Sequence, residues 1–187
     1  MQIRMMTADH PSMDMDDAYA IQAAFVQRKL DAGGRINGWK IGLTSKAMQY
    51  ALGIDIPDSG ILFDDMVFDY GGTVPDDRFI EPRIESEIAF IMKTDLSGAD
   101  ITRDDVIAAT DAVAPALEIL DTRIYRADPQ SGATRTVLDT ISDNAANAGL
   151  VMGDMRHPVD AFDLRRVGAI VRRNDMVEET GLGAGVL

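Results

Sequence analysis

The chain has 187 residues, 46% of them hydrophobic and 26% charged, enough for one ordinary domain with a real core and cramped for two. Eighteen Lys and Arg against 31 Asp and Glu give a formal charge of −13, so nucleic acid and membrane surfaces are not expected as partners. The lack of cysteine removes disulfides, thiolate metal sites and cysteine nucleophiles, and no apolar run has signal-peptide or bilayer-spanning length; a cytoplasmic setting is expected.

In chain order, Ser12 or Asp14 is placed to cap a helix from Met15 to Ala32, with Ala18, Ile21, Phe25 and Leu30 near one face. Gly33 and Gly34 stop it, closing a helical part of about residues 1–35. A β-rich part, about 36–187, follows. It begins with a short strand around Trp39 to Ile41, a turn at Gly42, and a helix capped by Thr44 or Ser45 that closes at Gly53. "DIPDSGILFDDMVFDYGG" predicts a loop, a strand and a turn, and "RIESEIAFIM", Arg83 to Met92, a longer strand. Thr102 to Asp105 forms a capping box in its Asp variant and starts a helix toward Ala112. "PALEIL" predicts a short strand and "RADPQSGATR" a polar loop; "GLVMG" and "GAIVRR" predict further strands, the last turning at Asn174 and Asp175. Strands outnumber helices without the regular alternation of a doubly wound sheet, and no repeat or linker marks a boundary. The expected fold is a single α+β domain around a β-rich core.

The strand "RIESEIAFIM" poses a chemical problem. Residues i and i+2 of a strand share a face, so Glu85 and Glu87 lie side by side, with Arg83 before them and Ala89 and Ile91 after. A wet surface strand would tolerate this, but the glutamate face turns apolar and enters the interior. Two carboxylates there are tolerable only beside a cation or with one protonated. Glu118 interrupts another apolar run, "APALEIL", where a charge is costly unless something binds it. Three glutamates, no cysteine and only two histidines, His10 and His157, favour a hard ion such as Mg²⁺ or Mn²⁺ over zinc. Spacing alone does not bring Glu118 to the other two.

The blocks "GWKIGLTSKAMQ", "PDSGILFDDM", "PRIESEIAF", "PALEILDTRI" and "DTISDNAANAG" together resemble the 2-keto-4-pentenoate hydratase branch of the fumarylacetoacetate hydrolase superfamily. The resemblance implies a mixed β-roll core with flanking helices, and Mg²⁺ or Mn²⁺ held by Glu85, Glu87 and Glu118. It also implies proton-transfer roles for Lys40 and Asp58. The implied activity is the addition of water to a 2-hydroxy-2,4-dienoate, with a small dicarboxylate as substrate and a homo-oligomer as the working form. Without the resemblance, Lys40 would read as a solvated strand-end lysine and Asp58 as a turn residue in "PDSG".

Ser142 is a candidate substrate contact, whereas Asp143, Asn144 and Asn147 read as mainly structural. Arg83 can hold a second substrate carboxylate or pair with a neighbouring glutamate. "GLGAG" near the C-terminus lacks the context of a phosphate loop, and "DMDD" at Asp14 to Asp17 lacks the spacing of a calcium loop. Members of the resembled family continue past "EETGLGAGVL" with strands that complete the roll, so an incomplete β-roll is expected. The competing readings are a 4-oxalocrotonate-type decarboxylase and an inactive metal-binding remnant. The "SDNAAN" block favours the hydratase.

Overall fold

A computed structural model describes residues 1–186. A short helix, α1 (Met6–Asp9), precedes α2 (Met15–Asp31). Asp14 caps α2 in a reciprocal box: its carboxylate accepts from Asp17 N at 3.0 Å, and its own N–H donates to the Asp17 carboxylate at 3.2 Å. The buried positions of α2 are Ala18 and Gln22, while Ile21, Phe25 and Leu30 are only half-buried. Gln22 is there for its amide, which donates to the carbonyls of Ser59 (2.8 Å) and Ile141 (3.1 Å). The helix is therefore held by polar docking as well as by its apolar stripe.

Three sheets follow. Strands β1 (Ile36–Gly42) and β2 (Asp58–Phe63) pair antiparallel, with Lys40 opposite Gly60 and Gly42 opposite Asp58. Their connection carries α3 (Lys46–Leu52), which ends at Gly53 in the left-handed region, φ 67°. The largest sheet is mixed and four-stranded. It contains β3 (Val67–Phe68), β4 (Arg83–Met92), β5 (Thr110–Leu120) and β6 (Asn147–Met152) in the order β3-β6-β5-β4, with only β3 and β6 parallel. Helix α4 (Arg103–Ala109) leads into β5, and α5 (Val137–Ser142) precedes β6. A final hairpin pairs β7 (Gly168–Arg173) with β8 (Met176–Leu182). Asn174 and Asp175 make its turn at φ 49° and 66°, the two positive values a type I′ hairpin needs.

Two boundaries differ from the sequence expectation for one reason. The helix begun at Thr102 stops at Ala109 instead of approaching Ala112, and the short "PALEIL" strand grows into the eleven-residue β5. β5 is central, paired to β4 along its length and to β6 from Ala116 to Leu120. It buries Ala112, Val113, Ala114 and Ala116. Ladder pairing and burial outweigh the modest helical preference of alanine.

The core centres on Phe63, Ile124 and Ile141 and is unusually polar, with Asn144, Asn147, Thr122 and Asp139 fully buried beside them. After α5 the chain turns through Asn144, Ala145 and Ala146, all left-handed at φ 54°, 52° and 56°. Such residues cost about 1–2 kcal/mol each outside glycine. The offset is the Asn144 side chain, which acts as a strand segment: its Oδ1 accepts from Ile61 N (2.8 Å) and its Nδ2 donates to Ile61 O (2.9 Å). Asn147 Nδ2 adds a bond to the same carbonyl at 3.0 Å. The turn thereby fastens β2, and through it β1, against the start of β6.

Candidate metal centre

The register of the main sheet builds the acidic site. Glu85 on β4 lies directly opposite Glu118 on β5, and Glu87 opposite Ala116. Directly opposed residues of an antiparallel pair project to the same face, so all three glutamates share it. Each offers a carboxylate oxygen within 4.8 Å of the others. Glu118 is buried, Glu87 half-buried and Glu85 exposed, which makes a site closed at the sheet and open outward.

The electrostatics would suit a cation. Burial, with Glu85 and Glu87 adding to it against the opposing pull of Lys40, pushes the Glu118 carboxyl up to about 7. Burial and then Glu85 raise Glu87 in the same direction, again against Lys40. Glu118 Oε1 is buried without a hydrogen bond, a polar atom that a bound cation would satisfy. Three clustered carboxylate oxygens and no sulfur donor fit a hard divalent cation.

Lys40 reaches this face from the other sheet. Its Nζ lies 3.4 Å from Glu118 Oε1, with its side chain only 12% exposed. Asp58, buried, approaches from β2; burial raises its carboxyl, while Lys40 and a backbone hydrogen bond at Gly42 pull it down. Gly42 leaves room for both side chains: a Cβ at that position would run into Asp58 Oδ1 and lie 3.0 Å from Lys40 Nζ, so these side chains would have to shift. The next residue, Leu43, sits in the left-handed region at φ 55°, a strained backbone beside the lysine. Gly60, opposite Lys40, is equally constrained, since a Cβ there would lie 2.6 Å from the Asn144 carbonyl oxygen.

Lys40, Asp58, Glu85, Glu87 and Glu118 are therefore brought together from four strands. Arg83 lies on the glutamate face one step along β4 and makes no ion pair among the described residues. Ser142 is buried, and its hydroxyl donates to the Leu138 carbonyl at 2.8 Å, within its own helix. Asp143 accepts from Arg123, whose backbone N–H approaches at 2.8 Å, and serves the turn, as expected for a structural residue. The parts the sequence reading missed are Gly42, Gly60 and the strand-like role of Asn144. Glycine two residues after a candidate catalytic lysine was the available signal for the first.

No family model matches the chain. Individual proteins do. It is 50% identical over 186 residues to the 2-oxo-hept-4-ene-1,7-dioate hydratase of Escherichia coli, a match covering 100% of this chain and 70% of that protein. It is 42% identical over 176 residues to the 2-hydroxypent-2,4-dienoate hydratase of Pseudomonas putida, covering 94% and 77%. Among solved structures it is similar to 4-oxalocrotonate decarboxylase from Pseudomonas putida G7, complexed with magnesium and adipate. That likeness has a TM-score of 0.89 at 34% identity and covers 99% of this chain and 68% of the other. With half its residues shared across its whole length, the chain belongs to the 2-keto-4-pentenoate and 2-oxo-hept-4-ene-1,7-dioate hydratase branch of the fumarylacetoacetate hydrolase superfamily.

Proposed function

We propose that this protein is a Mg²⁺-dependent hydratase, a carbon–oxygen lyase that adds water to a 2-hydroxy-2,4-dienoate. The substrate we assign is 2-oxo-hept-4-ene-1,7-dioate, giving 4-hydroxy-2-oxoheptanedioate in the breakdown of aromatic compounds. The observation that carries this reading is the clustering of Glu85, Glu87 and Glu118 within 4.8 Å, with Lys40 3.4 Å from the buried member. It is supported by the hydratase similarity over the full chain. Glu85, Glu87 and Glu118 would hold the ion; Mn²⁺ suits the same oxygen donors. When bound, the ion supplies Lewis-acid polarisation of the substrate's 2-oxo and carboxylate oxygens.

The chain's own residues handle protons and position. A dienol is inert to water until it becomes the conjugated 2-oxo-3-enoate, so one proton must reach carbon before water adds. Lys40, walled in and oriented by Glu118, presents Nζ beside the acidic face, where it can take part in proton transfer. Asp58, whose carboxyl is raised by burial, stands on the other side of Gly42 and can exchange a proton with Lys40 or with water. Arg83 and Ser142 remain our candidates for substrate contact. We read the mixed sheet as part of the family's β-roll in one domain, and the working form as a cytoplasmic homo-oligomer; the exposed Trp39 and Tyr50 support the second-copy contact. Among the described residues, no helix is long and apolar enough to cross a membrane.

A decarboxylase is the second reading, favoured by the structural likeness to 4-oxalocrotonate decarboxylase. The two separate by product. Incubation of the chain with 2-hydroxyhepta-2,4-dienedioate and Mg²⁺ should bleach the conjugated chromophore and yield a product heavier by one water, and chelator should stop it. Release of CO₂ would establish the decarboxylase instead. A folded chain that turns over neither way would be an inactive metal-binding remnant.

A further inference from the structure

We infer that Arg83, Arg126 and Arg135 form a subsite for the distal carboxylate of a dicarboxylate substrate, and so select dicarboxylates over monocarboxylates of the same type. The inference rests on the hydratase reading for its substrate and on the fold for its geometry.

The chain carries a formal charge of −13, so three neighbouring arginines that share a single carboxylate partner, Glu81, call for an explanation. Arg126 and Arg135 are joined across a loop by the hydrogen bond from Arg135 N to Arg126 O, 3.0 Å. Among the described residues no carboxylate lies within 4.0 Å of the Arg83 or Arg135 guanidinium; Arg135 spends one N–H on the Thr122 hydroxyl. Arg126 has the Glu81 carboxylate at 3.4 Å, but its buried Nε makes no hydrogen bond, and its Nη2 donates to the Glu81 carbonyl at 3.2 Å. The other nearby acids are committed: Asp143 to Arg123, and Asp139 to Thr7 and Thr136. Burial, then Arg126 and Arg83, lower Arg135 against the opposing pull of Asp143 and Asp139, which agrees with the three cations being neighbours. A planar carboxylate is the ligand that such forked donors match.

The position fits the substrate length. Arg83 stands opposite Leu120 as Glu85 stands opposite Glu118, on the same face and about 6.6–6.8 Å along the strand. In a seven-carbon 2-oxo dicarboxylate, the distal carboxyl carbon is five bonds beyond the ketone carbon, about 6 Å when extended at ordinary C–C lengths. A substrate anchored by its 2-oxo acid end at the glutamates and laid toward Arg83 delivers its second carboxylate to the arginines.

The test uses the full chain with Mg²⁺ and two comparisons. The first is the ratio of kcat/KM for 2-hydroxyhepta-2,4-dienedioate to that for 2-hydroxypenta-2,4-dienoate in the parent, Arg126→Gln and Arg135→Gln. The second is calorimetric binding of adipate against hexanoate in the same proteins. Loss of a charge-assisted hydrogen bond predicts a fall of about tenfold or more in the ratio and in adipate affinity. Glu81→Gln, which removes the one carboxylate facing Arg126, should tighten adipate binding. A ratio unchanged in folded variants, or a parent that binds hexanoate as well as adipate, would overturn the inference. If the arginine variants do not fold, an adipate affinity unmoved by Glu81→Gln does the same. A parent that turns over neither dienoate counts against the hydratase reading alone, because the adipate comparison still decides the subsite.

Discussion

Replacing Glu118 by Gln should make the metal-free protein more stable at neutral pH, although it removes a central member of the acidic site. Glu118 titrates at about 7 in the fold against an ordinary 4.5. Between those values the folded state keeps a proton that the unfolded state has released, so stability must fall as pH rises through the window and level off above it. At about 1.36 kcal/mol per pH unit, the gap corresponds to about 3 kcal/mol. For a chain of this size that is about 6–12 °C in Tm, taking 2–4 °C per kcal/mol. Gln is neutral throughout and loses this component; the raised carboxyls of Glu87 and Asp58 leave a shallower decline of the same sign. The assay is thermal unfolding from pH 5 to pH 8, in chelator and in Mg²⁺. In chelator the parent should decline with pH and Glu118→Gln should decline less steeply. In Mg²⁺ at a hundredfold excess over Kd the parent should recover about 2.7 kcal/mol. The variant, lacking the buried ligand, should recover little. A parent Tm that is flat from pH 5 to pH 8 in chelator, or a variant that declines as steeply, would refute the reasoning.

Gly42→Ala would drive a methyl into Asp58 Oδ1 and Lys40 Nζ while leaving the three glutamates untouched. Mg²⁺ stabilisation should persist and turnover should drop at least about tenfold, the low end of what losing a positioned proton-transfer group costs; equal loss of both would place Gly42 in the fold alone. Asn144→Ala would leave the Ile61 N–H without its partner and weaken the support of its carbonyl, besides placing Ala in a left-handed position. A loss of about 1–3 kcal/mol in denaturant unfolding is expected for the one group left unpaired, and a change under about 1 kcal/mol would remove the turn from its clamping role.

Much of this protein could be read from local chemistry. The capped start of α2, the β4 strand and the Asn174–Asp175 hairpin follow from capping residues, period-two patterning and turn preferences, all of which act within a few residues. The adjacency of Glu85 and Glu87 follows too, because strand geometry alone sets it. What local chemistry could not decide was the register that places Glu118 opposite Glu85, or the reach of Lys40 from a different sheet. Nor could it show that Gln22 and Asn144 are buried for their amides, since each gains its partners only when β2 arrives. The end of α4 depended in the same way on β4 pairing with the start of β5. Local propensity is set along the chain, but strand register and buried hydrogen bonds are settled between segments distant in sequence, where burial and pairing free energies outweigh it.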